Sequence, residues 1–225
     1  MSAEPLIFYT HPMSRGRVSR WMLEETGLPY DEVILDYGTT MKAPEYLAVN
    51  PMGKVPALRH GGVTITEGAA ICLHLADLAP DRALLPPPGS ALRGLCYRWL
   101  FFAAGPLESF LTARKHGALA PAMEAGYGQE ADLMRTLEQA VAGRSCVAGD
   151  QFTVADLYLA ALLGFYMRMG MLEQKAVFED YAMLHLQRPA ALRAQARDNA
   201  LMAAHPHPAA AAVEAATTAS GPAAA

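Results

Sequence analysis

Two short stretches of the chain place groups that stabilise an anion at the start of a predicted helix. Ser14 comes directly before a stretch whose apolar residues recur on one helical face. Its hydroxyl either caps that helix or donates a hydrogen bond to an anion held there. Glu67 and Gly68 open another predicted helix, where backbone N–H groups and the helix dipole favour an anion. The chemistry that these positions indicate is the binding and stabilisation of an anion.

The cysteines and histidines favour no disulfide, metal site or bound cofactor. The cysteines Cys72, Cys96 and Cys146 are odd in number, form no CxxC motif and lie among apolar residues. We interpret each as a small buried hydrophobe. The histidines show no metal-ligand spacing, and His205 and His207 lie close to the end of the chain. We therefore expect no metal and no tightly bound cofactor.

The first third of the chain alternates between strands and helices, in the order βαβ and then ββα. Short apolar runs predict strands at 6–10, 30–35, 55–59 and 63–66. The last two flank Gly61 and Gly62, which is typical of a β-hairpin. Helical periodicity predicts a helix after Ser14, a short one at 44–48 and a third at 67–78.

The rest of the chain predicts helices alone. Residues 79–89 contain four prolines, a density that no helix or central strand tolerates, so we expect a linker there. Beyond it, helical patterns run over 90–114, 129–142, 154–170, 177–186 and 189–203. Four early strands and none later favour two domains rather than one mixed sheet.

We therefore predict an α/β domain at 1–80, a proline-rich linker at 81–89 and an all-α, all-helical domain at 90–205. From about residue 206 the chain is mostly alanine, with too few large apolar groups to pack. We expect a disordered tail at 206–225. The sequence Thr153-Val-Ala-Asp156 is a variant of the capping box, and we interpret Asp156 as structural rather than catalytic.

Composition and charge exclude several classes of partner. The 225 residues are 52 % hydrophobic, with a net charge of -4 and a pI of about 6.0. Nucleic acid and anionic membrane are poor partners for such a surface. The start of the chain has no signal-peptide pattern, and no apolar run approaches the roughly 18 residues of a membrane span. We expect a cytoplasmic protein that binds neither nucleic acid nor membrane.

Four motifs, in this order, resemble the glutathione S-transferase superfamily, and together they cover about residues 5–203. They are YTHPMSRGR at 9–17, NPMGKVPAL at 50–58, TEGAAI at 66–71 and GDQFTVAD at 149–156. The set is most similar to the bacterial beta class, which has a Tyr five residues before an active-site Cys. Here those two positions are Tyr9 and Ser14. The resemblance implies a thioredoxin-like first domain with a cis-proline and an all-helical second domain.

The resemblance also implies where glutathione, as cosubstrate, binds. Across a cis bond between Val55 and Pro56, the Val55 backbone pairs with the cysteinyl residue of glutathione like an added strand. Glu67 binds the γ-glutamyl ammonium, and the turn at Gly68 holds the γ-glutamyl carboxylate. Many members have Ser or Thr where Gly68 stands, so one hydroxyl donor is missing here. The glycyl carboxylate is assigned to Lys54, which matches the family pattern, and to Lys42, which is also consistent with a solvated lysine.

For catalysis, the resemblance implies that the Ser14 hydroxyl donates to the glutathione sulfur and stabilises it as a thiolate. Tyr9 is the rival donor, and a role of Ser14 as helix cap alone also stays open. Arg15 adds a positive field, whereas Arg17 is better explained as packed within its domain. The thiolate would attack a small apolar electrophile, a reaction used in detoxification. Thiol–disulfide exchange is not expected, because serine cannot form a mixed disulfide.

The second domain departs from the beta class at one point. Counting from Trp99, the positions of a beta-class His-Lys pair hold Glu108 and Ser109, and a carboxylate cannot act as a cationic partner. The electrophile pocket is expected between the domains. Its candidates, each equally consistent with a core position, are Met13, Phe102, Phe110 and Tyr166, with Phe101 and Phe165 beside them.

Two other functions remain open at this point. One is a binding or regulatory protein with this fold and no catalysis. The other is a different glutathione-dependent reaction, as in a peroxidase, dehalogenase or isomerase, since the same thiolate would serve each. By analogy with the family, we expect a homodimer formed through helices of the second domain.

Overall fold

The computed structural model describes residues 4–204, so the tail expected at 206–225 and both His205 and His207 lie outside the described residues. The first part of the fold is a sheet with helices around it. Its strands are β1 (Leu6–Thr10), β2 (Asp31–Ile34), β3 (Ala57–His60) and β4 (Val63–Ile65). Its helices are α1 (Gly16–Thr26), α2 (Pro44–Leu47) and α3 (Gly68–Leu78), with a 3-10 turn at Thr40–Lys42.

The four strands form one mixed sheet in the order β2-β1-β3-β4. Strand β1 runs parallel to β2 and antiparallel to β3, and β3 and β4 form the predicted hairpin. Helices α1 and α3 pack against each other, and α3 also contacts β3. The predicted βαβ and ββα order of a thioredoxin-like domain is confirmed.

Two of the element boundaries that differ from the prediction lie at predicted site residues. Strand β3 begins at Ala57 rather than at Val55, because the Val55–Pro56 bond is cis and proline has no N–H for a ladder. Helix α3 begins at Gly68 rather than at Glu67, whose φ of 64° is not helical. The predicted cis bond is confirmed.

After α3, the chain forms helices and no further strand as far as residue 204. They are α4 (Ala91–Phe102), α5 (Glu108–Lys115), α6 (Glu130–Val141), α7 (Val154–Arg168), α8 (Ala176–Leu186) and α9 (Pro189–Ala204). None of the helices within residues 4–204 combines the length and the apolar character needed to cross a bilayer.

One predicted helix is interrupted. The pattern over 90–114 predicts a continuous helix, but Ala103–Leu107 forms a π turn between α4 and α5. Pro106 lies inside this turn and has no N–H to donate to an α-helical acceptor. The helical run therefore continues through Glu108 with one wider turn.

The main hydrophobic core extends through both parts of the fold. It includes Phe8 of β1, Trp21 of α1 and Leu163 of α7. Helix α7 lies at its centre and contacts α1, α3, α4 and α8. The buried Asp156 carboxylate accepts the Thr153 N–H at 2.7 Å, which confirms its structural role at the start of α7.

Helix α9 is bound to the first part of the fold by a buried ion pair. Arg20 of α1 is fully buried, and its Nε lies 2.8 Å from Asp198 Oδ1 in α9. A second nitrogen of the same guanidinium lies 2.7 Å from Glu32 Oε2 in β2. These two partners are carboxylates, so the buried charge of Arg20 is compensated, and the Tyr30 hydroxyl accepts a further hydrogen bond from Arg20 at 3.1 Å.

Candidate active site

A pocket of about 420 Å³ lies between the start of α1, the loop after β2 and the residues before β3. Five predicted site residues line it, namely Met13, Ser14, Lys42, Lys54 and Val55. The other lining residues are Arg15, Tyr37, Gly38, Met41 and Gly53. The structure thus brings together most residues predicted near the thiol and the glycyl end of glutathione.

The Ser14 hydroxyl is part of the turn that leads into α1. Its Oγ donates to the His11 carbonyl oxygen at 2.7 Å and accepts the Gly16 N–H at 2.9 Å. Ser14 therefore does support the start of the helix, which is one of the two roles its position predicts. To donate to a sulfur, its O–H has to rotate away from the His11 carbonyl, while the bond from Gly16 can remain.

Tyr37 is a pocket residue that the sequence did not identify. It follows β2, and its ring packs edge-on against the buried His11 ring, with centroids 4.8 Å apart. Burial raises the pKa of Tyr37, while the Arg15 charge and a hydrogen bond with Ser14 act in the opposite direction. The phenol therefore keeps its proton at neutral pH, close to the Ser14 hydroxyl. Only its neighbour Gly38, typical of a turn, marks this loop in the sequence.

Arg15 links the pocket to the second domain. Its Nε donates to Glu108 Oε1 at 3.0 Å, and another of its nitrogens donates to the Tyr166 hydroxyl at 2.8 Å. The guanidinium also lies over the Phe165 ring, 4.1 Å from its centroid. Burial lowers the pKa of Arg15, but the attraction of Glu108 and Tyr166 outweighs it, so the net shift is upward. The cation is therefore fixed at the edge of the pocket.

Tyr9 lies outside the lining of this pocket. Its ring packs against Tyr46, with centroids 5.5 Å apart, in a small cluster that also contains Leu35 and Met41. Tyr46 in turn donates to the Lys54 carbonyl oxygen at 2.6 Å. In this arrangement, Tyr9 supports the residues that form one wall of the pocket.

The lysines and Val55 lie in the loops before β3. The Lys42 ammonium donates to the Met52 carbonyl oxygen at 2.9 Å. It also approaches the Cα of Gly53 so closely that a Cβ there would lie 2.8 Å from Nζ, and Gly53 has a φ of +57°. Both lysines are exposed, and Val55 is half-buried. Two positive charges therefore lie on the open side of the pocket.

Glu67 and Gly68 lie at the start of α3. Glu67 is exposed, has φ 64° and ψ 115°, and makes no side-chain cap to the helix. A positive φ in a residue other than glycine costs about 1–3 kcal/mol, and such strained residues cluster at functional sites. The first turn of α3 contains no acidic residue. Its backbone N–H groups are thus available to an anion.

The four residues predicted for the electrophile pocket do not lie together. Met13 lines the pocket beside Ser14. Phe110 is 1 % exposed and packs against Tyr127, whereas Phe102 is half-buried and packs against Trp99. Tyr166 is fully buried and is bonded to Arg15. Of these four residues, Met13 alone lines the pocket beside Ser14 and presents an apolar surface to it.

No other part of the described chain gathers comparable chemistry. A second cavity, of about 370 Å³, lies beside His60 and the starts of β1 and β2, and no predicted site residue lines it. The three cysteines are buried thiols, as predicted, and burial raises the pKa of Cys72 to about 12. Residues 4–204 contain no cluster of three or more His, Cys, Asp or Glu residues arranged to hold a metal ion.

Comparison with known proteins finds one family over both parts of the chain. The family model "Glutathione S-transferase, N-terminal domain" matches residues 4–77, and "Glutathione S-transferase, C-terminal domain" matches residues 103–184. The chain is 32 % identical over 169 residues to glutathione S-transferase GstA of Escherichia coli O157:H7. That match covers 70 % of this chain and 80 % of the relative.

Solved structures show the same fold. A sphingomonad glutathione S-transferase complexed with glutathione has a TM-score of 0.71 and 30 % identity, over 86 % of this chain and 98 % of that one. A beta-class glutathione S-transferase from Sphingomonas chungbukensis has a TM-score of 0.69 and 29 % identity, over 85 % and 98 % of the two chains. With both domains matched in sequence and in structure, the chain belongs to the glutathione S-transferase family.

Proposed function

We propose that this glutathione transferase binds glutathione in the pocket beside Ser14 and activates its thiol with the hydroxyls of Ser14 and Tyr37. The observation that carries the proposal is that two hydroxyls and the Arg15 guanidinium share one pocket with Val55 and two lysines. These groups suit a ligand with a thiol, an extended peptide backbone and a carboxylate. No thiol of the protein competes for the role, because the cysteines in residues 4–204 are buried.

The energies that thiol activation requires match what hydroxyl donors supply. A free thiol has a pKa of about 8.5, and only the thiolate is a good nucleophile. Lowering the pKa to about 6.5–7 takes roughly 2–3 kcal/mol, at about 1.36 kcal/mol per unit. One hydrogen bond to a charged group contributes about 1.5–3 kcal/mol. A donor from Ser14, with a second from Tyr37 or the positive end of α1, is therefore sufficient.

Glutathione would extend from this point in two directions. Its cysteinyl backbone pairs with Val55, which the cis bond leaves outside the ladder of β3. Its glycyl carboxylate lies near Lys42 and Lys54 on the open side of the pocket. Its γ-glutamyl end reaches the start of α3, with the ammonium at Glu67.

The second substrate would be a small apolar electrophile that approaches from the side of Met13. Met13 is next to Ser14 in the chain and lines the same pocket. Its flexible thioether adapts to ligands of different shape. We keep Tyr9 as the alternative donor to the sulfur, although its packing against Tyr46 favours a supporting role.

We also propose a homodimer formed through the exposed face of α4. Phe101 is 55 % exposed, and Gly94 and Arg98 lie on the same helical face and are exposed too. Phe101 and Gly94 are about two helical turns apart on this face, with Arg98 between them. An exposed aromatic residue and a glycine on one helical face are suited to packing against a second copy. The glutathione S-transferase family supports this dimer by analogy, and the same analogy places the protein in the cytoplasm.

The decisive experiment follows the ultraviolet absorbance of the glutathione thiolate as a function of pH. We would titrate glutathione bound to the wild type, to Ser14→Ala and to a Tyr9→Phe control. We expect the bound thiol to titrate below about 7.5 in the wild type and about one unit higher in Ser14→Ala, with Tyr9→Phe unchanged. If bound glutathione titrates at its free value, the protein is a binding module without thiol activation and the proposal fails.

A further inference from the structure

A tyrosine of the second domain reaches the start of α3 at the point where Gly68 leaves room. A Cβ atom at residue 68 would lie 3.2 Å from the Tyr158 hydroxyl oxygen, which is a tight contact. The next nearest atoms, Cε2 and Cζ of the same ring, would lie 3.6 and 3.8 Å away, which is ordinary packing. The space that a serine side chain would use at this helix start is thus taken by the hydroxyl of Tyr158.

The Tyr158 hydroxyl makes no hydrogen bond with any residue between 4 and 204. Tyr158 belongs to the buried helix α7 and is only 4 % exposed. Its oxygen is not among the fully enclosed polar atoms of residues 4–204 that lack a partner, so it borders space that a ligand or water can fill. Burial raises the pKa of Tyr158, and Cys72 and Glu108 act in the same direction, so the oxygen keeps its proton. It is therefore an uncommitted donor at neutral pH.

The start of α3 is a favourable place for a carboxylate. The helix has eleven residues and begins at Gly68. Glu67 gives it no side-chain cap, and its first turn carries no acidic residue. The first backbone N–H groups of a helix and its dipole together attract an anion. The donor of Tyr158 and these N–H groups thus converge on the same point.

We propose that the Tyr158 hydroxyl donates a hydrogen bond to the α-carboxylate of the γ-glutamyl residue of glutathione, held at the start of α3. It thereby supplies, from the second domain, the hydroxyl that Gly68 lacks. Tyr158 then determines the affinity for the γ-glutamyl end of glutathione. Gly68 leaves the space that the Tyr158 hydroxyl occupies. This inference rests on the proposed function and names one more contact of the same site.

The first test compares two ligands on the wild type and on Tyr158→Phe. One is glutathione, and the other is 4-aminobutyryl-cysteinylglycine, which lacks only the α-carboxylate. We expect Tyr158→Phe to weaken glutathione binding by about 10- to 100-fold, the range for losing a hydrogen bond to a charged group. The affinity for the analogue should not change. Equal weakening for both ligands would mean that Tyr158 is merely structural and would overturn the proposal.

The second test moves the hydroxyl from one residue to the other. In Tyr158→Phe the nearest contact of a new Cβ at residue 68 becomes an ordinary one, so Gly68→Ser fits in that background. We expect Gly68→Ser with Tyr158→Phe to recover most of the lost affinity for glutathione. Gly68→Ala with Tyr158→Phe is the matched control and should recover none. Equal recovery by alanine would overturn the proposal.

These measurements separate the inference from the proposed function. If the wild type fails to bind glutathione, the proposed function itself is wrong. If the wild type binds glutathione and Tyr158→Phe binds it equally well, the proposed function stands and only the role of Tyr158 is wrong. Because phenylalanine keeps the buried ring and removes a hydroxyl with no partner among the described residues, the variant should fold normally.

Discussion

Arg15 Nε lies 3.0 Å from Glu108 Oε1, so an ion pair joins the two domains at the edge of the pocket proposed for glutathione. The resemblance to the beta class implies a cation on the second domain at this point. Here the cation comes from the first domain, next to Ser14, and the second domain supplies the anion. The signs of the two charges are thus exchanged between the domains, and Glu108 partly neutralises the Arg15 charge beside the proposed thiol site.

This ion pair gives two predictions of opposite sign. In Glu108→Gln the amide oxygen can still accept the Arg15 N–H, but the negative charge is gone. We expect the pKa of bound glutathione thiol to fall, by less than about one unit, because the Arg15 charge is no longer offset. In Arg15→Gln we expect it to rise. Thiolate absorbance against pH measures both.

Salt provides the check on this interpretation. An effect of charge at a partly exposed site weakens as ionic strength rises. The two shifts should therefore shrink in high salt, while the effect of Ser14→Ala persists. If Glu108→Gln and Arg15→Gln move the thiol pKa in the same direction, the ion pair acts through structure rather than charge.

Tyr37→Phe tests the second hydroxyl of the pocket. The variant keeps the ring that packs against His11 and loses only the oxygen. We expect kcat/KM to fall roughly tenfold and the pKa of the bound thiol to rise, as for the loss of one hydrogen bond to a charged group. Tyr97→Phe is the matched control, because the Tyr97 hydroxyl accepts from Arg93 at 2.6 Å and lies outside the pocket. Similar losses in both variants would contradict a role of Tyr37 in activation.

Phe101→Glu tests the proposed dimer. A carboxylate on the exposed face of α4 would have to be desolvated in the interface, so we expect dissociation into monomers. Sedimentation velocity measures the change. Leu192→Glu is the control, because Leu192 is 45 % exposed on α9, away from α4. A wild-type protein that sediments as a monomer would refute the proposal directly.

The contact between His60 and His74 predicts a loss of stability in mild acid. His60 Nδ1 lies 3.0 Å from His74 Nε2. Burial and the nearby His60 lower the pKa of His74. Below the unfolded value of about 6.5, the unfolded chain then binds more protons than the folded one. The free energy of unfolding should therefore fall as the pH drops from the unfolded pKa towards the lower folded pKa.

Urea unfolding at neutral pH and in mild acid, for the wild type and His74→Gln, measures this effect. We expect the variant to lose less stability on acidification than the wild type. Some loss should remain, because burial also lowers the pKa of His185. An unchanged difference between the two pH values in His74→Gln would show that this pair does not contribute.

The sequence predicted the fold well because its signals are local. The hairpin at Gly61 and the helix start at Thr153 each depend on neighbours in the chain, whereas the cis bond before Pro56 was implied by the family resemblance. What the periodicity did not give is the local effect of a proline inside a helical stretch. The π turn around Pro106 is an example, since the periodicity of 90–114 continues through it.

The site residues also fall into two groups: those that lie in sequence motifs, and those whose place only the folded chain shows. Ser14, Lys54 and Val55 lie in motifs, and the structure places all three in the pocket. Tyr37 lies in a loop with no motif, so only the folded chain shows that it reaches Ser14. Phe110 was a reasonable candidate for the electrophile pocket, but an aromatic residue on a helix looks the same in sequence whether it faces a cleft or the core.

The π turn at Ala103–Leu107 makes the cross-domain ion pair depend on the number of residues in the chain. A π turn holds one residue more than an α-helical turn, and one residue corresponds to a rotation of about 100° around the helix axis. Deleting a single residue from this turn would therefore rotate α5 and carry Glu108 away from Arg15, although every residue that lines the pocket would be kept. In the divergence of such enzymes, a one-residue change in length can thus reset the electrostatics of a thiol site as effectively as a substitution within it.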